Sequence, residues 1–210
     1  MLQRRSRESR ESEMGMSEDI AEMKTGLFWR AVCAEFLGTL LLVLIACGSC
    51  WKGEIVVAIS ISFGLTVGIV VWCIAHVSGG HINPAVTLSF LVTRRISIFR
   101  TIFYIIAQCA GAVAGASLLR ALTPKGSNDG LCAPAPAFEL SFVKACSFEL
   151  SVTFLLVFTV FATCDGRRNG FGLGPLAIGL SITCGHLWAV STTVQLALTH
   201  LCPSMASFPF

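Results

Sequence analysis

The decapeptide SGGHINPAVT, residues 78–87, interrupts an apolar region with residues that break or cap helices. Asn83 is a favourable N-cap residue, and Pro84 is favoured at the first position of a helix. A half-helix is therefore predicted over residues 83–91. Its amino-terminal end carries the positive end of the helix dipole, and the Asn83 amide can donate a hydrogen bond to a passing oxygen atom.

Irregular backbone is tolerated inside a membrane only where protein or a water-filled cavity satisfies it. The backbone predicted to line such a cavity is that of Gly79, Gly80, His81 and Ile82. Donors and a positive dipole near the middle of a bilayer suit water and repel cations, including protons. The alternative is a surface loop, since Asn-Pro pairs often initiate turns. The apolar flank LSFLV at 88–92 argues against that alternative.

The composition indicates that a membrane surrounds these residues. Of the 210 residues, 54% are hydrophobic and 13% charged, with a mean hydropathy of +0.76, whereas a soluble domain carries about a quarter charged residues. Apolar stretches near the length of a transmembrane helix occur at 28–51, 55–75, 98–121, 142–164 and 174–190. The sequence predicts an all-α membrane protein with about five transmembrane helices plus one re-entrant half-helix.

The amino-terminal residues 1–25 are polar, charged and serine-rich and lack the apolar core of a signal peptide. They are predicted to form a disordered tail ahead of a transmembrane domain over 26–210. Lys and Arg are enriched in cytoplasmic loops, and a cytoplasmic N-terminus places eleven of them inside and four outside. The predicted orientation is therefore N-terminus inside.

Two parts of the chain resemble each other. AEFLGTLLLVL in the first span matches FELSVTFLLVF in the fourth, which aligns Glu35 with Glu149 at an offset of 114. SFGLTVG and AIGLSITCG align Gly64 with Gly179 at an offset of 115. The predicted copies are a first repeat over 28–121 and an incomplete second repeat over 142–210. Because the first repeat has three spans, an odd number, the second repeat enters the membrane from the opposite side. Inverted repeats of this kind are typical of membrane transport proteins.

Glycines are the predicted contact points between helices. Small residues let helix backbones approach closely in lipid. The glycines in this pattern are Gly64, Gly68, Gly111, Gly115 and Gly179.

The residues indicate no enzymatic or metal chemistry. Most of the ten cysteines, including Cys109, lie in apolar segments, where cysteine acts as a small hydrophobe, so no disulfide framework, metal site or cofactor is expected. A nucleophile–base pair and a phosphate loop are also missing from the sequence. The net charge of +3 comes from short juxtamembrane clusters, which does not indicate binding to nucleic acid.

Four motifs in order, AEFLGT, SGGHINPAVT, YIIAQCAGAVAGA and PLAIGLSITCGHLWAV, resemble the aquaporin (major intrinsic protein) family over about residues 28–190. The resemblance implies six spans, two half-helices that each open with Asn-Pro-Ala, and a tetramer with one pore in each subunit. By resemblance, Asn83, Pro84 and Ala85 are the first such motif. Phe63 and His186 match the outer constriction, and the histidine resembles that of water-selective members.

The resemblance also assigns two glutamates, Glu35 and Glu149, to holding the re-entrant loops. A lone glutamate in a membrane helix is costly, so a buried and hydrogen-bonded role is expected for each.

The pattern departs from the family near its end. The offset of 115 places a second Asn-Pro-Ala at 198, but residues 198–200 are Leu, Thr and His, and the family's constriction arginine would fall on Leu201. Only 12 residues follow Leu198, fewer than the roughly 20 of a span. A truncated or divergent C-terminus without the second motif and the sixth span is expected. A natural short isoform and a faulty gene model both stay open.

Two functions follow. The first is a water channel of the plasma membrane whose conduction is impaired by the missing second half of the pore. Its partners would be water, the lipid bilayer and three further copies or full-length relatives. The alternative is a non-conducting membrane subunit that assembles with full-length relatives and regulates them.

Overall fold

A computed structural model of the chain describes residues 17, 19–50, 56–124, 142–166 and 172–189. Six helices make up most of this part of the chain: α1 Gly26–Leu42, which continues as a π-helical turn over Val43–Cys47, α2 Val56–Ser78, α3 Pro84–Val92, α4 Ile98–Leu122, α5 Phe142–Thr163 and α6 Gly174–Ala189. The predicted all-α fold is confirmed, with the half-helix α3 between α2 and α4.

In the described part of the chain, four helical segments are long and apolar enough to cross a bilayer: Gly26–Cys47, Val56–Ser78, Ile98–Leu122 and Cys146–Thr163. Helix α6 is the fifth predicted span, and its 16 described residues are mostly apolar. The first span ends at Cys47, with Gly48 as its cap, instead of continuing to the predicted residue 51.

The outer surface of the helices is apolar. Ile69, Trp72, Leu150 and Phe158 are each more than 60% exposed. Large apolar side chains that point outward along several helices indicate a surface that faces lipid.

The interior lies between α2, α5, α6 and the segment that leads into α3. Its apolar core includes Val67, Val71, Ile82, Val86, Leu156, Val160, Ile178 and Ile182. The re-entrant segment is therefore packed into the centre of the helices and not laid on their surface.

Helix α1 packs against α4 at glycines. A Cβ atom at Gly111 would collide with the carbonyl oxygen of Phe36, and one at Gly115 would lie 2.6 Å from the carbonyl oxygen of Leu40. The two backbones are in direct contact, so no larger side chain fits at either position.

Helix α2 packs against α6 in the same way. Gly64 and Gly179 face each other, and a Cβ on either would press against the other's carbonyl oxygen. One turn further along α2, a Cβ at Gly68 would lie 3.2 Å from the carbonyl oxygen of Pro175. This contact joins a helix of the first repeat to a helix of the second.

The predicted disordered tail over 1–25 includes described residues that are folded. Residues 19–23 are helical, and the backbone N–H of Thr25 donates to the carbonyl of Glu22 at 3.0 Å. Disorder was predicted for this segment from its charged composition. The sequence does not show that these charges have partners elsewhere in the fold.

The expectation that the cysteines form no disulfides is wrong. Cys50 and Cys109 are each disulfide-bonded, so an apolar context did not keep Cys109 free. The free cysteines of the described residues are Cys33, Cys47, Cys73, Cys146, Cys164 and Cys184. Disulfide formation depends on the distance between two Cα atoms, which hydropathy does not report.

Candidate functional site

Helix α3 begins where the sequence predicts. Asn83 has extended backbone (φ −151°, ψ 125°), and its Oδ1 accepts a hydrogen bond from the backbone N–H of Ala85 at 2.7 Å. Pro84 occupies the first turn, where its missing N–H leaves no bond unmade. The Asn83 carbonyl accepts from the N–H of Thr87 at 3.0 Å. The asparagine side chain is therefore fixed by the cap, with its oxygen turned toward the helix.

The segment before α3 reverses the chain through left-handed backbone. Gly79 and Gly80 have φ values of 93° and 65°, conformations that glycine adopts without steric cost. Ile82 has φ 41°, which is uncommon for a β-branched residue. Because Ile82 does not favour this conformation by itself, its surroundings must hold the segment in place.

Glu35 of α1 supplies that support. Its side chain is fully buried. Oε1 accepts from the hydroxyl of Ser78 at 2.6 Å and from the N–H of His81 at 2.9 Å. Oε2 accepts from the N–H of Ile82 at 2.6 Å and from Nε2 of Gln108 at 2.8 Å. A carboxylate with four donors is well compensated for its burial.

Gln108 of α4 joins the glutamate to the half-helix. The same Nε2 also donates to Oγ1 of Thr87 at 3.0 Å, and the side chain is 1% exposed. Gln108, Thr87 and Ser78 are functional residues that the sequence patterns do not single out. The available signal was a lone amide midway along an apolar helix, since a buried polar side chain normally has a partner.

Phe63 of α2 and His186 of α6 lie side by side. Their ring centroids are 4.6 Å apart, and both side chains are buried. The ring nitrogen Nδ1 of His186 lies 2.9 Å from the carbonyl oxygen of Ile182. The two residues predicted to line a constriction are therefore brought together, one residue before Gly64 on α2 and seven after Gly179 on α6.

Three buried side-chain atoms have no hydrogen-bond partner among the described residues: Nδ2 of Asn83, Nε2 of His186 and Oε1 of Gln108. Buried polar atoms are normally hydrogen-bonded to protein or water. Two of the three belong to residues that the sequence predicts to face a passage.

Glu149 occupies a different environment. It lies on α5 and is half-buried. The segment that it was predicted to hold, within residues 190–210, lies outside the described residues. The predicted departure from the Asn-Pro-Ala pattern at 198–201 lies in the same part of the chain.

The family model described as "Major intrinsic protein" matches residues 22–198. Aquaporin-4 of Mus musculus is 46% identical over 178 residues, which are 80% of this chain and 55% of that protein. The lens fiber major intrinsic protein of Lithobates pipiens is 44% identical over 177 residues, which are 82% of this chain and 67% of that protein. The chain thus spans little more than half the length of the aquaporin-4 proteins that it matches.

A solved structure supports the fold. The X-ray structure of the aquaglyceroporin from Plasmodium falciparum superposes with a TM-score of 0.72, and the alignment covers 79% of this chain and 74% of that one. Its sequence identity of 21% makes this a likeness of fold alone.

Proposed function

Because this chain belongs to the major intrinsic protein family, we propose that it is a water channel by descent, with a passage that runs past the amino-terminal end of α3. It is a multi-pass membrane protein with four helices of spanning length and composition in the described part of the chain. The observation that carries the proposal is the Asn83 amide, which is 2% exposed and whose Nδ2 has no partner among the described residues. A buried donor at a half-helix terminus is suited to a water oxygen.

Asn83 would act by hydrogen bonding and by charge. Its Oδ1 is committed to the cap of α3, so the amide N–H groups are the part of the side chain left for water. The positive end of the α3 dipole lies at the same place. A water molecule can turn its oxygen toward these donors, whereas a cation or a proton is repelled.

Phe63 and His186 would set the width of the passage. Their rings are in contact, and Nε2 of His186 is a second buried polar atom without a partner in the described part of the chain. One apolar wall and one hydrogen-bonding wall suit a small polar solute such as water. Larger solutes would meet the two rings.

We propose further that these 210 residues conduct weakly when they are expressed by themselves. The sequence has one Asn-Pro-Ala motif, and the family mechanism implied by the resemblance places two half-helices opposite each other. By the offset of 115, the segment TTVQLALTHL, 192–201, corresponds in sequence to the second half-helix, and it has neither an asparagine for the cap nor a proline for the start.

Vesicle swelling tests the water pathway. Vesicles that contain the chain at a verified density should show slow osmotic water flow above the empty-vesicle background. Asn83→Ala, which removes both the cap and the donor, should abolish it. Asn83→Asp retains an acceptor for the cap but lacks the amide donor, so it should also reduce the flow. Flow that is unchanged in both variants would place the passage elsewhere.

The alternative function is a non-conducting subunit that assembles with full-length relatives, and the single Asn-Pro-Ala motif favours it. Co-expression with a full-length relative separates the two functions. A regulatory subunit should co-purify with the relative and change its water permeability per copy. A chain that neither co-purifies nor changes that permeability supports the first proposal.

The cellular setting is part of the proposal: a plasma-membrane protein with a cytoplasmic N-terminus that forms tetramers with itself or with relatives. The orientation is supported by charge, because Lys24, Arg94, Arg95 and Arg100 lie near the amino-terminal ends of α1 and α4. Positively charged residues are enriched on the cytoplasmic side. Protease protection of an N-terminal tag in intact cells tests this orientation.

A further inference from the structure

Glu22 lies ahead of the first span and contacts the start of α4. Its Oε1 accepts from Nε of Arg100 at 3.0 Å, and the same oxygen forms an ion pair with the second guanidinium nitrogen of Arg100. Its Oε2 accepts from the hydroxyl of Ser97 at 3.2 Å. Both carboxylate oxygens are therefore engaged, and the segment over 19–25 is fastened to α4.

Arg100 passes this contact on to Tyr104. Its NH1 donates to the Tyr104 hydroxyl at 2.7 Å. The guanidinium carbon also lies 5.4 Å from the ring centroid of Phe28 and 5.5 Å from that of Tyr104. The arginine side chain is 20% exposed and the glutamate side chain 34%, so the pair is shielded more than an ion pair free in water.

Tyr104 completes the connection to the re-entrant segment. A tyrosine hydroxyl has one proton to give. Since it accepts from Arg100, it can donate that proton to the carbonyl oxygen of Ser78, which lies 2.9 Å away. Ser78 is the last residue of α2, and its own hydroxyl donates to Glu35.

We infer that Glu22 is a positioning residue for the re-entrant segment and acts on it through Arg100 and Tyr104. The three side chains form one directed series of hydrogen bonds from the amino-terminal segment to the carbonyl of Ser78. Glu22 fixes the position of Arg100, and Arg100 orients the Tyr104 hydroxyl. The hydroxyl in turn holds the Ser78 carbonyl, where the chain begins to reverse at Gly79 and Gly80. The amino-terminal segment is thereby coupled to the half-helix.

The direction of donation separates this coupling from an ordinary ion pair. An ion pair between positions 22 and 100 stabilises the segment whichever residue carries the positive charge. Only a donor at position 100 leaves the Tyr104 proton for Ser78. A carboxylate at position 100 would accept that proton and release the Ser78 carbonyl.

Amide hydrogen exchange of the full chain in lipid nanodiscs tests the inference, with peptides that cover residues 78–85 as the readout. The variants are Glu22→Ala, Tyr104→Phe, their combination and the exchanged pair Glu22→Arg with Arg100→Glu. Lys24→Ala is the matched control, because it removes a charge from the same segment and its side chain is exposed. Gel filtration verifies that each variant is folded. The readout does not require water flow, so its result is independent of the proposed channel function.

We expect Glu22→Ala and Tyr104→Phe each to speed exchange at residues 79–83 by about fivefold, the effect of one lost hydrogen bond. The combination should be no faster than Tyr104→Phe alone, and Lys24→Ala should leave the rate unchanged. The exchanged pair should restore protection at residues 19–25 but not at 79–83. Wild-type rates at 79–83 in Glu22→Ala would overturn the inference. Restored protection there in the exchanged pair would also overturn it, because a simple ion pair would then be sufficient.

Discussion

Glu35 and Glu149 occupy equivalent positions in the two repeats, yet their environments differ. Glu35 is fully buried and accepts four hydrogen bonds, two of them from the backbone of the re-entrant segment. Glu149 is half-buried on α5. The two helices carry similar sequence around the glutamates, so the helix alone does not produce the buried anchor. At Glu35 the anchor includes the loop that turns the backbone N–H groups of His81 and Ile82 toward the carboxylate.

In the first repeat, the burial of Glu35 and the conformation of the re-entrant segment depend on each other. A carboxylate in an apolar interior is costly unless donors surround it, and the left-handed conformation of Ile82 is costly unless something holds it. Each feature stabilises the other. The SGGHINPA sequence and Glu35 therefore form one structural unit.

The largest expected effect comes from removing the first anchor. Glu35→Ala should lower the free energy of unfolding by about 3–5 kcal/mol, because four donors lose their acceptor in a buried site. Glu149→Ala, the matched variant in the second repeat, should cost less, because Glu149 is half-buried whereas Glu35 is fully buried. Thermal unfolding in detergent, followed by the loss of the monodisperse gel-filtration peak, measures both. Equal losses would show that the repeat position and not the loop determines the role.

The contact between the repeats gives the next effect. Gly64→Ala should cost about 1–3 kcal/mol, because a methyl group would push α2 away from the Gly179 backbone. Gly26→Ala is the control, since a Cβ at Gly26 would meet no atom within 4 Å. Thermal unfolding in detergent compares the stability losses of the two variants. If Gly64→Ala is as stable as the control, the helices are not in the close contact described.

A smaller effect is expected at Gln108. Gln108→Leu removes one of the four donors to Glu35 and the bond to Thr87 but keeps a side chain of similar volume, so the loss should be about 1 kcal/mol. The effect should be smaller in the Glu35→Ala background, where only the bond to Thr87 is left to lose, because the two residues act in one network. A double-mutant cycle measures this dependence, and additive losses would separate Gln108 from the anchor.

The sequence predicted the parts of this structure that are local. The Asn83 cap, the Pro84 start and the apolar spans are encoded within a few residues of each other, and they lie where the patterns predict. Glu35 stood out because a charge in a membrane helix needs a partner. The resemblance to a family supplied the pairing of Phe63 with His186, which no local pattern contains.

The parts that were missed depend on contacts between distant segments. Gln108 and Thr87 are 21 residues apart, and Glu22 and Arg100 are 78 apart. Nothing near Glu22 in the sequence distinguishes an ion-paired carboxylate from a solvated one. The segment over 19–25 was accordingly predicted to be disordered although the fold gives it a partner.

The proposed function requires that residues 1–190 supply one competent half of a water passage. The direct test is the osmotic permeability per copy of a chimera in which residues 191–210 are replaced by the corresponding region of a full-length relative that carries the second Asn-Pro-Ala motif. Vesicles with the chimera should swell many times faster than vesicles with the original chain, and Asn83→Ala in the chimera should remove most of that increase. A chimera that is present in the membrane and swells no faster than the original chain would contradict the claim, as would fast swelling that does not depend on Asn83.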